Sequence, residues 1–396
     1  MNKKNLGVGC LEINALAKKY INQVIKSNRL SYGPFIKKFE EQFSRDHQTK
    51  FGIMVNSGTS ALRIAVACLK ETESWAEGDE IIIPAVTFIS DVNVIASQGL
   101  KPVFVDVDPK TYNIDPTKIE RKISQRTKAI MVVHLFGQPA QMAPIMRLAK
   151  KHKLKIIEDS CETMYVKYQG KSVGSFGDIA CFSTYVAHLV VTGVGGLAVT
   201  NNKKYAEILR SLANHGRDNI YISIDDDNKI QGKALRAVVE RRFKFIRPGF
   251  SFRVTELEGA LGLAQLSVIR KNLAQRRKNA QYLIEKFQPL EPYLQLPWPP
   301  RDVSHAFMMF PIVIKKGTGV SKQRLVNYLE KQGIETRDML PLINQPFIEK
   351  MYKLKAKDYP VADWINRYGF YIGCHQKMGK TELAYIVKVF KKYFDR

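Results

Sequence analysis

In the run Ser183-Thr184-Tyr185-Val186-Ala187-His188-Leu189 an imidazole follows a hydroxyl by five positions, and no lysine occurs between Lys171 and Lys203. Imidazole forms no stable Schiff base, but it accepts and returns a proton near neutral pH. Upstream, Asn56-Ser57-Gly58-Thr59-Ser60-Ala61-Leu62 joins a short apolar run to a helical pattern. Small residues there let backbone N–H groups at a helix N-terminus point at a phosphate, although the same turn also serves as a plain helix start. Pro84-Ala85-Val86-Thr87-Phe88 leaves an aromatic after a second apolar run, and Ile156-Ile157-Glu158-Asp159 leaves two acids after a third. Gly177-Asp178-Ile179-Ala180-Cys181-Phe182 leads out to Ser183, and Gly193-Val194-Gly195-Gly196 opens the next run, Leu197-Ala198-Val199-Thr200. Taken singly, Phe88 also reads as core and Asp159 as a strand-end cap.

These residues need elements to hold them. Ile53-Met54-Val55, Glu80 to Ile83, Val103 to Val105, Ala129 to Val133, Lys155 to Ile157, Ala180 to Phe182 and Leu197 to Val199 read as strands, with helical spacing from Ala61 to Leu69 and up to Ser97. Buried runs alternating with helices predict an α/β domain with a mostly parallel sheet, its ligand site at the carboxyl ends of the strands. Residues 216–248 break the alternation: Asp225-Asp226-Asp227-Asn228-Lys229 reads as a polar turn and Pro248-Gly249 closes the segment, the length expected of a functional loop. Helical periodicity then runs from an N-cap at Thr255 to about Phe287. Pro297, Pro299 and Pro300 mark a linker, followed by strand (Phe307 to Ile314), helix (Lys322 to Gln332), strand (Ile334 to Arg337) and a closing helix (Thr381 to Phe394). The expected division is a large domain over 1–250, with an N-terminal arm 1–30 and the loop 216–248. The long helix and a small α+β domain take 251–396.

Composition narrows the functions. The 396 residues are 45% hydrophobic and 10% aromatic, which excludes a chain disordered over most of its length. No apolar run approaches the ~18–20 residues that cross a bilayer, and Met1 to Gly7 has no secretion-signal core. Five scattered cysteines, never in a C-x-x-C pair, argue against a disulfide scaffold, a zinc ribbon or a closely spaced metal cluster. A soluble cytoplasmic protein without a metal is expected. The net charge of +25 attracts polyanions, yet its basic residues are spread along the whole chain without a groove-reading motif, so a phosphate-bearing small substrate is expected rather than nucleic acid.

Together with Val133-His134-Leu135-Phe136-Gly137-Gln138, Phe252-Arg253-Val254-Thr255-Glu256-Leu257 and Gly333-Ile334-Glu335-Thr336-Arg337, the motifs above resemble the DegT/StrS-type family of nucleotide-sugar aminotransferases. The resemblance covers nearly the whole chain. It implies fold type I, with a seven-stranded-type sheet, and a pyridoxal phosphate cofactor. Gly58, Thr59 and Ser183 would hold the cofactor phosphate, Phe88 would stack on the pyridine ring, and Asp159 would pair with the pyridinium nitrogen, keeping the ring an electron sink.

The family's Schiff-base lysine falls at His188. This is similar to the 3-dehydrases of nucleotide-linked 4-keto-6-deoxyhexoses, which bind pyridoxamine phosphate non-covalently and use a histidine as base. Glu162 stands where aminotransferases usually carry glutamine and resembles the acid of a colitose-pathway dehydrase, as does Ile372-Gly373-Cys374-His375-Gln376. It is counted with the cofactor residues. Ser251 stands where many members carry an asparagine that reaches across the dimer. His215, Ser251 and Arg253 are counted with the substrate, His215 reading equally as a helix C-terminal cap. The resemblance implies a homodimer and L-glutamate as amino donor. It leaves open an aminotransferase or a catalytically lapsed regulator.

Overall fold

The computed structural model describes residues 5–218, 230–241, 243–298, 303–340 and 342–395. The whole polar turn expected at 225–229, with the rest of 219–229 in the loop 216–248, lies outside these residues, as do Pro299 and Pro300 of the expected linker. The first two helices, α1 (Ala15–Ser27) and α2 (Pro34–Asp46), precede the alternating part. That part runs β1 (Phe51–Val55), α3 (Gly58–Thr72), β2 (Glu80–Pro84), α4 (Ile89–Ala96), β3 (Lys101–Val105), β4 (Thr127–Val133), α5 (Met142–His152) and β5 (Lys155–Asp159). A short ribbon, β6 (Lys167–Tyr168) and β7 (Lys171–Ser172), leads to β8 (Ile179–Ser183), β9 (Gly196–Thr200) and α6 (Lys203–Ala213).

The sheet has the order β1-β9-β8-β5-β4-β2-β3. Strands β3, β2, β4, β5 and β8 run parallel, whereas β9 is antiparallel to both β8 and β1. Every residue of β8 and β9 is buried, the mark of strands covered on both faces. Helix α3 packs under them with Ala61, Leu62, Ile64, Ala65, Cys68 and Leu69. This arrangement brings Val55, Gly196, Ser183, Asp159, Val133 and Pro84 to one edge of the sheet, in that order.

Inside the segment read as a loop stands a helix, α7 (Gly232–Arg241). The single helix expected from Thr255 to Phe287 is two, α8 (Glu256–Leu266) and α9 (Ile269–Phe287). Thr255 caps the first in a reciprocal box with Glu258. The break falls where the Ser267 hydroxyl donates back to the Ala264 carbonyl (2.7 Å) and the β-branched Val268 leaves helical geometry (φ −116°, ψ −5°). Helix α8 packs on α1 and α2, and its buried Glu256 accepts from the Gly33, Phe35 and Ile36 N–H groups at the start of α2.

The C-terminal part holds β10 (Leu294–Gln295), β11 (Phe310–Ile314), α10 (Lys322–Lys331), β12 (Thr336–Asp338), α11 (Pro346–Tyr352), α12 (Pro360–Tyr368), β13 (Gly369–Ile372) and α13 (Lys380–Phe394). Its antiparallel sheet, β10-β11-β13-β12, closes a second core with Leu283, Phe287, Phe310, Phe370 and Phe390. A strap from the N-terminal region joins the parts. Leu6 pairs with Gly333 and Glu335 through backbone bonds of 2.8 and 3.0 Å, Val8 N–H donates to Glu335 Oε2 (2.8 Å), and Gly9 lies against Ala187.

Candidate active site

Two acids end β5, and the structure gives them different work. Glu158 is fully buried and spends its oxygens on His134 Nε2 (3.1 Å) and the Gly174, Phe176 and Gly177 N–H groups. Asp159 sits between Val133 of β4 and Cys181 of β8, 4% exposed, its Oδ1 accepting from the Cys161 N–H (3.0 Å).

Gly58, the first residue of α3, faces the same edge. A Cβ there would lie 2.7 Å from Cys161 Sγ and 2.8 Å from Ser183 Cβ, so only glycine lets the helix start approach β8. Ser57 caps the helix by accepting from the Ser60 N–H, and Thr59 is exposed above the turn. Gly58, Ser183, Cys161 and Asp159 thus form one small cup. Phe88 opens α4 with 56% of its surface exposed, a large aromatic face left uncovered.

His188 lies on the loop between β8 and β9. That loop is pinned at its base: Thr184 N–H donates to the Gly195 carbonyl (2.9 Å), Thr192 N–H to the Thr184 carbonyl (2.9 Å), and the two threonine hydroxyls meet at 2.6 Å. The His188 N–H donates to the Tyr185 carbonyl (2.9 Å), and the Tyr185 ring stands edge-on to the imidazole at 6.2 Å. Burial lowers the pKa of His188 to about 4, opposed by the Ser183 backbone, so the ring is neutral at pH 7. Its Nδ1 is buried without a hydrogen-bond partner.

Glu162 accepts from the Phe136 N–H (3.0 Å), which stands in the left-handed turn Phe136-Gly137 (φ 58° and 92°) after β4. Burial and, secondarily, the Asp159 charge push its pKa up to about 7, the Phe136 N–H working against both. The turn carries the site towards the C-terminal part: Ala306 N–H donates to the Gly137 carbonyl (2.8 Å). The segment Gly373 to Gln376 follows β13 and is braced from α9, where Asn279 donates to the His375 carbonyl (2.8 Å) and Arg276 to Gln376 (3.0 Å).

His215, Ser251 and Arg253 form a separate cluster beside β1. Arg253 Nη2 lies 2.9 Å from His215 Nε2 and donates to Ser251 Oγ (3.0 Å). Desolvation, then the Arg253 and Arg217 charges, lower the pKa of the exposed His215. The cluster meets the edge of the cup through the backbone, where Asn56 N–H donates to the Phe252 carbonyl (2.9 Å).

Asp91 is the residue that the sequence reading missed. It lies on α4, fully buried, takes the Thr87 hydroxyl on Oδ2, and stands within hydrogen-bonding reach of the Asp159 carboxyl. The available signal was an acid one turn beyond Phe88 in an otherwise apolar helix, Ile89-Ser90-Asp91-Val92-Asn93-Val94-Ile95-Ala96.

The arrangement fits a phosphorylated aromatic ring. A glycine helix start offers N–H groups next to Cys161 and Ser183, an exposed aromatic opens α4 after β2, Asp159 ends β5 buried, and the Nδ1 of His188 is buried without a hydrogen-bond partner. Among the described residues no group of three or more His, Cys, Asp or Glu could hold a metal ion.

Known proteins carry the same fold. The profile of the DegT/DnrJ/EryC1/StrS aminotransferase family matches residues 12–391. The chain is 32% identical over 381 residues to the GDP-4-keto-6-deoxy-D-mannose 3-dehydratase of Escherichia coli O55:H7 (strain CB9615 / EPEC), spanning 94% of this chain and 96% of that one. It is also 32% identical, over 380 residues, to the GDP-perosamine synthase of Escherichia coli O157:H7, spanning 96% and 95%. A solved structure of the E. coli GDP-4-keto-6-deoxy-D-mannose-3-dehydratase with bound hydrated PLP matches with a TM-score of 0.87 at 29% identity, over 98% of this chain and 100% of that one.

Proposed function

Because this chain belongs to the DegT/DnrJ/EryC1/StrS aminotransferase family, we propose that it is a dehydratase, dependent on pyridoxal or pyridoxamine phosphate, that removes the 3-hydroxyl of a nucleotide-diphospho-4-keto-6-deoxyhexose. Its fold is the fold type I architecture of that family, with a mostly parallel sheet and a small antiparallel C-terminal sheet. The observation that carries the reading is His188: a neutral, half-buried imidazole with a buried, unpartnered Nδ1, where the family's lysine would stand, in a segment without any lysine.

When bound, the non-covalent cofactor supplies the amine that engages the 4-keto group and a ring that takes up electrons. Gly58, Thr59 and Ser183 hold its phosphate at the start of α3, where N–H groups and the helix dipole favour an anion. Phe88 covers one face of the ring, and Asp159 keeps the proton on its nitrogen. Neutral His188 accepts a proton; once charged in surroundings that disfavour the cation, it yields that proton to the departing hydroxyl. Glu162, near half-protonation at pH 7, stands beside Asp159. His215, Ser251 and Arg253 face the substrate at the edge of the cup, Arg253 supplying charge for its phosphates.

L-glutamate restores the cofactor amine. The active form in this reading is a homodimer whose segment 216–253 reaches the neighbouring site. Among the described residues no helix is long and apolar enough to cross a membrane. A cytoplasmic location, where nucleotide sugars and glutamate are at hand, belongs to the same proposal.

A second reading, transamination, is favoured by the equal identity to a GDP-perosamine synthase. Incubation with nucleotide-linked 4-keto-6-deoxysugars, glutamate and cofactor separates the two by mass spectrometry. The dehydratase yields a sugar lighter by one oxygen; transamination yields one whose keto oxygen has become an amine. No turnover of any such sugar would leave only a binding protein.

A further inference from the structure

Asp91 has no part in the proposed reaction so far, yet it is built into the site's floor. It is fully buried on α4, three residues beyond Phe88. The Thr87 hydroxyl donates to its Oδ2, and Oδ1 has no hydrogen-bond donor among the described residues. The Asp159 carboxyl stands within hydrogen-bonding reach, and two carboxylates in such contact cannot both stay ionised.

We propose that Asp91 is a positioning residue, a carboxylic acid steadied by Thr87 that donates its own proton to Asp159 and so fixes the oxygen which meets the ring nitrogen. This rests on the cofactor role given to Asp159 above.

The geometry says which of the two keeps the proton. Asp159 accepts the Cys161 N–H, a bond that favours its charged form. Asp91 receives only the Thr87 hydroxyl and is raised well above the usual carboxylate range, by burial first and the Asp159 charge second. The groups facing it are acids or thiols: Asp159 and Cys161 at and after the end of β5, Glu162 beyond them, and Cys181 on β8. The pair therefore carries one negative charge, matched to one ring cation. A second charge would leave an anion buried without a partner; removal of Asp91 would leave Asp159 held by the Cys161 N–H alone.

Two variants and a control test this. Asp91→Asn keeps the shape and an N–H donor, Asp91→Leu keeps bulk but donates nothing, and Asp159→Asn removes the ring's partner. In the cofactor-free protein, the melting temperature of Asp91→Asn relative to wild type should climb steadily from pH 5 to pH 8. The folded wild type holds a proton over that range that the unfolded chain has released, so its stability falls as pH rises. A merely structural substitution would give a constant offset.

Binding of pyridoxamine phosphate, followed by its absorbance, should be within about threefold of wild type for Asp91→Asn. It should be weaker by about tenfold or more for Asp91→Leu, with the bound ring nitrogen losing its proton at lower pH, as befits a lost hydrogen bond to a charged group. A constant melting offset for the asparagine variant overturns the proposal, as does wild-type affinity and ring titration in the leucine variant. If the leucine variant does not fold, the pH slope of the asparagine variant decides. Wild-type binding by Asp159→Asn would sink the cofactor site itself, a failure distinct from that of Asp91 alone.

Discussion

At the scale of single residues, protonation decides what each group can do. Burial holds His188 neutral at pH 7, the form that accepts a proton. His188→Asn keeps a comparable volume but cannot shuttle that proton, so it should bind pyridoxamine phosphate normally while water loss from the sugar falls by about 10²- to 10⁴-fold. Turnover at the wild-type rate would remove His188 from the mechanism. His188→Lys should gain the mass of one reduced pyridoxyl group after borohydride, whereas wild type should gain none. Glu162 titrates from the opposite side. Its folded pKa of about 7 lies above that of an unfolded glutamate, so the stability tied to its proton is complete below about pH 4.3 and is lost as pH rises through about 7. Melting curves of the cofactor-free protein should therefore show Glu162→Gln gaining on wild type between pH 5 and pH 8. At equal cofactor occupancy the same variant should change the ratio of eliminated to aminated sugar.

Among the elements, the strands were readable because both faces of the sheet are covered. Uninterrupted runs such as Ile179 to Ser183 have no other economical explanation than a buried strand. Less was readable where one residue type serves two purposes. Glu158 and Asp159 are adjacent acids in sequence, and only the loop at 174–177 folding back onto Glu158 shows which is committed to structure. The boundary between α8 and α9 escaped for a related reason: a serine and a valine interrupt the backbone without disturbing the apolar periodicity. Asp91 escaped because a lone acid in an apolar helix carries no spacing signal; its meaning depends on Asp159, from another strand.

The element most exposed to test is the start of α3. Gly58→Ala puts a methyl group 2.7 Å from Cys161 Sγ and 2.8 Å from Ser183 Cβ, where α3 and β8 must part to admit it. A loss of about 1–3 kcal/mol in unfolding free energy is expected from denaturant titration, together with loss of phosphate-dependent cofactor binding. Unchanged affinity for pyridoxamine phosphate would move the phosphate site elsewhere.

On the scale of the whole molecule, the core that α3 shares with the large sheet and the C-terminal core are joined by the turn at Gly137, by α9 and by the strap around Leu6. Apolar side chains remain uncovered at Leu11, Ile13, Ile25 and Leu30, and again at Phe243, Phe245 and Ile246. A second copy of the chain would cover such surfaces. Light scattering at micromolar concentration should give twice 45.1 kDa. A monomer that turns over keto-sugar would rule out a site completed by the neighbouring subunit.

The strap also sets an order of events during synthesis. Val8 bonds to Glu335, 327 positions later, and Gly9 then rests on Ala187 beside the imidazole. The large sheet can assemble from neighbouring segments as they emerge, but the strap has no seat until the ribosome has passed residue 335. Contacts so far apart in sequence form late, since the long loop must close before they are made. A nascent chain can thus own its sheet and its cofactor cup while the histidine loop is still unbraced. The last step of maturation would be the docking of a segment made more than three hundred residues before its seat.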